Sequence, residues 1–362
     1  MRSARLLLFA AAAPLAASAC SSSGAMTDTQ YQSAVVSGMR TSFITDLSNL
    51  VSYSQMLQAA APTPADRGWD ATLDAGAIAA MKTAWVGCRQ AYEHIEGATA
   101  PIFPDIDASI DSRYDDALAA LPGGDAYLFD DVGFTGMHAV ERILYANVTP
   151  ARVIAYESTL TGYLAAAFPA TAQEASDLAA KLVAKQISDA QALHDNWEAA
   201  KNYDLGAAFQ GLVSLMNEQR EKVDKASTNQ EESRYSQTTM DDIRDNLAGT
   251  ERVYALFQPW IQSKIASPDA GGESGDGKAI DAAIEAGFAK LQALYDGVQG
   301  DAIPQPPDTW SSVDPSAADL QTPFGVLFAG VQAAVDPNDP SSVVGQMNAA
   351  AVLLGFPQFA EE

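Results

Sequence analysis

The chain has 362 residues, 48% of them apolar, and carries 46 acidic against 21 basic side chains, a formal net charge of −25 at pH 7. A chain this acidic repels phosphate backbones and anionic headgroups, which argues against a nucleic-acid function; the excess of carboxylates suits cations as ligands, though keeping an exported protein soluble accounts for most of it. The length suits one large domain or two of ordinary size.

Met1-Arg2-Ser3-Ala4-Arg5 is a basic start, and residues 6–13 are an apolar run too short to span a bilayer. Ala17-Ser18-Ala19-Cys20 reads as a lipobox. Residues 1–19 are therefore expected to be a lipoprotein signal peptide, Cys20 the lipidated residue and residues 20–29 a flexible tether. An ordinary signal peptide with an incidental cysteine is the alternative. Cys88 is then the one thiol left, so an exported chain is expected without an internal disulfide, Cys88 packing as a small apolar residue.

Helical periodicity dominates the rest of the chain. Residues 31–61 place Val35, Met39, Phe43, Leu47, Leu50, Tyr53 and Leu57 at helical spacing, and Pro62-Thr63-Pro64 ends the run. A second helix is predicted over 77–98, with Met81, Trp85, Cys88 and Tyr92 along one side, then a mixed stretch over 100–124 interrupted by prolines. Further helices are predicted over 130–145, 150–168, 171–202, 204–226 and 240–266. Residues 267–277 read as a loop by composition, and helices resume over 278–298, 317–335 and 342–354. No strand alternation or hairpin signal stands out. The expected fold is all-α, two packed four-helix-like bundles spanning 30–203 and 204–362. A weak internal echo, Phe129-Asp130-Asp131-Val132 to Glu141-Arg142 against Met240-Asp241-Asp242-Ile243 to Glu251-Arg252, fits either a duplicated bundle or chance likeness between amphipathic helices.

The chemistry concentrates at Gly136-Met137-His138-Ala139-Val140-Glu141. Residues three apart share a helix face, so His138 and Glu141 can offer an imidazole and a carboxylate to one metal ion. Glu93 and Glu96 repeat the spacing on an earlier helix, and helical bundles build metal sites from inward-facing pairs of this kind. On spacing alone, Glu93 and Glu96 also fit a solvated helix face, and His138 a hydrogen-bonded core histidine. His94 is turned roughly 100° from Glu93 and falls outside the same ligand set; His194 reads as a surface residue. One imidazole with several carboxylates is a hard, oxygen-rich set that suits iron, manganese, calcium or zinc better than Cu(I). Arg113 is placed to pair with a site carboxylate and hold it.

Four blocks in order resemble the imelysin-like family, and within it the periplasmic iron-uptake lipoproteins of EfeO/EfeM type. Arg89-Gln90-Ala91-Tyr92-Glu93-His94-Ile95-Glu96 is similar to R-x-x-Y-E-x-I-E, and Asp107 to Arg113 to D-x-x-I-D-x-R. Thr135 to Glu141 is similar to T-G-x-H-x-x-E. Glu232 to Thr238, with Asn246, is similar to E-x-R-Y-S-H-T…N, Gln237 standing where that block often has histidine. The resemblance implies two helical bundles around a metal site whose ligand candidates are Glu93, Glu96, Asp111, His138 and Glu141. Glu218 is the expected further carboxylate, and Arg113 and Tyr92 are supporting residues. It also implies the short form that lacks a cupredoxin domain.

Three functions are compatible with these features. The leading one is a lipid-anchored periplasmic protein that captures iron, or zinc, calcium or manganese, and passes it to an inner-membrane iron permease. The second is an imelysin-type metallopeptidase. Against it, neither H-E-x-x-H nor H-x-x-E-H is present, Arg142 following Glu141. The third is a non-catalytic binder of haem or an acidic polysaccharide; Met137 and His138 allow the first, and the scarcity of basic residues disfavours the second. Residues 267–362 carry no interpretable motif and are expected to brace the fold and wall one side of a groove.

Overall fold

In the computed structural model, residues 26–121, 123–265 and 276–359 are described. The leader, Cys20 and most of the tether and of the 267–277 loop lie outside them. The described residues contain helices and no strands, as expected.

Helix α1 (Asp28–Ala60) opens on a capping box between Thr27 and Gln30, and its chain turns extended at Ala61 ahead of Pro62. It packs lengthwise on α2 (Ala75–Glu93). Short helices come next: α3 (Glu96–Thr99), α4 (Pro104–Asp111), α5 (Tyr114–Ala120), α6 (Met137–Leu144) and α7 (Ala151–Glu157). The long helix expected over 171–202 is α8 (Ala172–Asp177), a π-helical turn over Leu178–Leu182 and α9 (Val183–Ala199) in continuous succession. The chain continues through α10 (Leu205–Ala226), α11 (Thr239–Gln262), α12 (Gly277–Asp296), α13 (Pro323–Val335) and α14 (Val343–Leu354). Asp204, Thr322 and Ser342 cap α10, α13 and α14 by accepting from backbone N–H groups of the first turn.

Helix α1 packs on α2 and α9, with α4 against α9 and α6 against α2. Helices α10 to α14 pack on one another, α10 also packs closely on α3, and α11 reaches back to α1, α2 and α3. Buried apolar residues from both groups merge into one cluster containing Trp85, Trp197, Trp260, Phe43 and Phe209. Each large side chain removed from water contributes about 1.5–3 kcal/mol. Among the described residues no helix is long and apolar enough to cross a membrane.

Three departures from periodicity shape the site. The helix expected over 77–98 breaks after Glu93, where Ile95 takes φ −123° and ψ −13°. Helix α11 captures the freed carbonyls: Asn246 Nδ2 donates to Glu93 O at 3.2 Å and Arg252 to His94 O at 3.0 Å. A Cβ on Gly249 of α11 would stand 2.4 Å from His94 O, so only glycine lets the helices meet this closely. The helix expected over 130–145 starts only at Met137, because Gly136 is its N-cap at φ +87°. The helix expected over 150–168 stops at Glu157; further on, side chains take the backbone groups, Arg142 donating to Leu164 O at 2.5 Å and Leu164 N to Tyr114 Oη at 2.9 Å.

His94 joins the two groups of helices, its ring 3.5 Å from Asp46 of α1 and 3.3 Å from Asp245 of α11. Burial disfavours its charge, but the bonds to Asp245 and Asp46 outweigh that and push it up to about 9. A raised folded-state value means the charged ring stabilises the fold fully below about pH 6.5, and the contribution fades as pH rises through about 9. His94→Gln is expected to lose up to about 3 kcal/mol at pH 6 and little at pH 10. Denaturant titration at both pH values in chelator checks this; equal losses at both would exclude a charged His94.

Candidate metal centre

The site is built around one buried cation. Arg89 of α2 is fully enclosed and forms ion pairs with Glu93 one turn on and with Asp111 at the end of α4. It also pairs with Glu232, in the segment joining α10 and α11, at 2.8 Å and with Asp242 in the first turn of α11 at 3.3 Å. Lys222 of α10 is a second buried cation, 2.6 Å from Glu232, 3.6 Å from Glu93 and 3.8 Å from Glu96. Two cations thus serve a larger group of carboxylates.

His138 faces this group. Its Nδ1 lies 2.9 Å from Glu141 Oε2, and its Nε2 lies 3.5 Å from Asp111. Among the described residues Nε2 has no hydrogen-bond partner, although it is buried. Asp111, His138 and Glu232 each turn one potential ligand atom to within 4.8 Å of the others, and so do Glu93, Glu96 and Asp111. Asp111 belongs to both triads. Ligand atoms about 2.0–2.6 Å from a common ion fit within such spacings.

Burial drives the titration. His138 is held well below its ordinary value by burial and by Arg89, so its ring is neutral, the form that ligates metals. Burial pushes Glu93 and Asp111 well above the usual carboxylate range, against the pull of Arg89. Burial also raises Asp107 and Asp242 to about 6 and Glu218 to about 7. Glu232 goes the other way: burial opposes its charge, but Lys222 and Arg89 outweigh it and hold the carboxyl far below the usual range. Protons and a metal ion would therefore compete for the same oxygens.

The expected site residues divide. Glu93, Glu96, Asp111 and His138 come together, while Glu141 sits behind His138. Its Oε1 accepts from Tyr235 N at 3.2 Å, Ser236 N at 2.8 Å and Ser236 Oγ at 2.7 Å, and its Oε2 faces Nδ1. Such a carboxylate orients the imidazole and fixes its tautomer when a metal takes Nε2. Glu218 lies one step out, accepting from Ser214 at 3.0 Å and lining the cleft with Glu96. Tyr92 donates to Asp107. Arg113 pairs with Asp116 at 2.9 Å and Glu221 at 3.8 Å at the rim and forms no ion pair with a triad carboxylate, although it lines the same cleft and feels the charge of Glu232. Gln237, which stands where the similar family block often has histidine, bridges Arg152 at 2.5 Å and Glu231 at 2.8 Å.

Sequence reasoning missed Glu232, Arg89, Lys222, Asp242 and Asn246 as parts of the centre. The one available signal was that Arg89, Glu232 and Asn246 are fixed members of the family-like blocks. The centre opens to solvent through a cleft of about 420 Å³ lined by Glu96, Asp107, Asp111, Glu218, Lys222 and Glu232 among others, with Asp116 and Glu221 at the rim.

Gly136 makes the His138–Asp111 approach feasible, since a Cβ there would stand 2.4 Å from Ile110 O and 2.6 Å from Ser109 O. Trp85 Nε1 donates to Met137 O at 2.9 Å and fixes the same turn. Gly136→Ala combines positive φ with this clash and is expected to cost about 2–4 kcal/mol or to displace α6. A thermal melt within 1–2 °C of wild type would contradict this assignment.

Residues 33–319 match the family model described as Imelysin (Peptidase M75). The "Iron uptake system component EfeM" of Pseudomonas syringae pv. syringae (strain B728a) is 28% identical over 189 residues, which are 52% of this chain and 52% of that protein. The "Iron uptake system component EfeO" of Escherichia coli (strain K12) is 26% identical over 222 residues, 61% of this chain and 45% of that protein. The alignments thus span about half the length of these curated relatives. An imelysin-like protein from Psychrobacter arcticum 273-4, known from its crystal structure, superposes with a TM-score of 0.57 over 92% of this chain and 98% of that one, at 12% identity, and shows the shared fold. With well over half of its residues inside the family match, this chain belongs to the imelysin family.

Proposed function

We propose that this protein binds a hard metal ion as cargo, iron foremost with zinc, manganese or calcium as the other ions its donors suit, and serves iron uptake. The observation that carries the proposal is the buried His138 Nε2, without a hydrogen-bond partner among the described residues, facing Asp111 and Glu232, which line an acidic cleft. The likeness to proteins named iron uptake system components points to iron. Asp111, His138 and Glu232 are the proposed ligands, Glu93 and Glu96 extend the set, and Glu141 orients His138. Glu218 stands between the rim and the ligands and gives an entering cation a carboxylate on its path.

The leader reading adds location. A chain tethered through Cys20 would work in the periplasm at a membrane surface and hand its ion to an inner-membrane permease. Hydrolysis is the rival the family description suggests, and it needs an unengaged general base beside an open coordination position. Here Glu93, Asp111, Glu232 and Asp242 are each tied to Arg89, which removes these four as free bases and supports carriage.

The test is metal content and calorimetric titration of the form beginning after Cys20. Wild type is expected to bind Fe(II) or Zn(II) near one equivalent. His138→Ala and Glu232→Gln should each abolish binding, and Glu141→Gln should weaken it about 10- to 100-fold. Affinity should fall as pH drops from 8 to 6, because protons return to carboxyls raised by burial. Unaltered binding by His138→Ala would end the proposal, and peptide cleavage by the loaded protein would replace it with the hydrolase reading.

A further inference from the structure

Lys222 is the one buried lysine among the described residues. Its ammonium sits among Glu232 at 2.6 Å, Glu93 at 3.6 Å and Glu96 at 3.8 Å, and donates to Asn246 Oδ1 at 2.8 Å. Glu232 belongs to the triad around His138, and Glu93 and Glu96 to the triad that shares Asp111 with it. The ammonium therefore touches a member of each group of candidate ligands. It also lines the acidic cleft, so its four-carbon arm can turn outward without crossing the core. Asn246 is held independently of Lys222, since its Nδ2 donates to Glu93 Oε2 at 2.6 Å and Glu96 Oε2 at 2.9 Å.

We propose that Lys222 is a tethered counter-cation that exchanges with the metal: its ammonium neutralises Glu232, Glu93 and Glu96 in the empty protein, withdraws into the cleft when a divalent cation binds, and returns as the ion leaves. The inference rests on the metal-binding reading and adds how the ion is let go. A cleft with this many buried carboxylates would hold a divalent ion tightly and, when empty, would repel itself or take up protons. A tethered positive charge eases both problems. It supplies a replacement cation at high local concentration, and it lowers affinity because loading must first break its ion pairs. Arg89 cannot play this part: its planar fork is locked by four carboxylates.

Zn(II) affinity measured by competition with a chromophoric chelator separates the cases. Lys222→Met, which keeps the arm and removes the charge, is expected to bind Zn(II) about tenfold tighter or more, while its metal-free form melts lower than wild type. Lys222→Arg, which keeps the charge, should stay within about threefold of wild type. Lys222→Met binding with equal or weaker affinity would overturn the proposal, since a merely structural lysine lowers stability and affinity together. His138→Ala in the same assay distinguishes the failures: retained binding there means the metal-site reading itself is wrong. If Lys222→Met does not fold, acetylation of lysines in wild type decides. Lys222 should become more reactive on adding Zn(II), and unchanged reactivity would refute the exchange.

Discussion

Everything at the centre depends on the enclosed guanidinium of Arg89. An isolated buried charge costs several kcal/mol, and it is tolerated only where several acceptors surround it. Arg89 finds them on four separate stretches: its own helix, the end of α4, the α10–α11 connection and the first turn of α11. Satisfying one side chain thus fixes the relative position of segments up to 153 residues apart in sequence. The break after Glu93 and the tight approach of Gly249 to His94 O let α11 come near enough to close this arrangement.

A neighbouring network holds the Glu232-to-Thr238 segment from its other side. Arg234 is buried and pairs with Asp115 at 2.7 Å, and Tyr235 donates to Glu157, which also receives Arg142 at 3.2 Å. Arg142 in turn lies over the Tyr114 ring at 3.9 Å. The residue that spoils an H-x-x-E-H motif is therefore a structural cation, and its work is to brace the backbone that presents Glu232, Tyr235 and Ser236. The backbone N–H groups of Tyr235 and Ser236 then hold Glu141, which orients His138. Fold and site are one chain of ion pairs, so small changes far from His138 reach it through Glu141.

The long helices were legible because their apolar residues recur at helical spacing and their ends carry caps, as at Thr27, Asp204, Ser342 and Gly355. What failed is where a side chain from elsewhere overrides local preference. Residues 93–96, where the helix breaks, carry no glycine or proline; Asn246 and Arg252, far along the chain, take the carbonyls freed there. The late start of α6 was signalled by Gly136 but looked like part of a helical run. Spacing and motif order single out His138, Glu93, Glu96 and Asp111, and the structure places them near one another. Glu232 is not singled out, since it lies in an irregular segment and its burial is decided by Arg89 and Lys222. For Glu141 the i,i+3 spacing shows a face shared with His138 but not which partner each oxygen meets.

The two buried cations divide the electrostatic work by their chemistry. A divalent ion entering the cleft must be compensated for lost hydration, and carboxylates do that only if they are ionised and close together. Left alone in a buried cleft, such carboxylates would take up protons, which is the direction in which burial drives Glu93, Asp111, Glu218 and Asp242. Arg89 counters this permanently, because a guanidinium stays charged and its fork holds fixed geometry. Lys222 counters it exchangeably, because an ammonium on a flexible stem can be replaced by another cation without disturbing the scaffold. A site with only the first would be rigid but poorly neutralised when empty; a site with only the second would lose its shape when loaded. With both, the carboxylates keep their positions while the cation beside them changes.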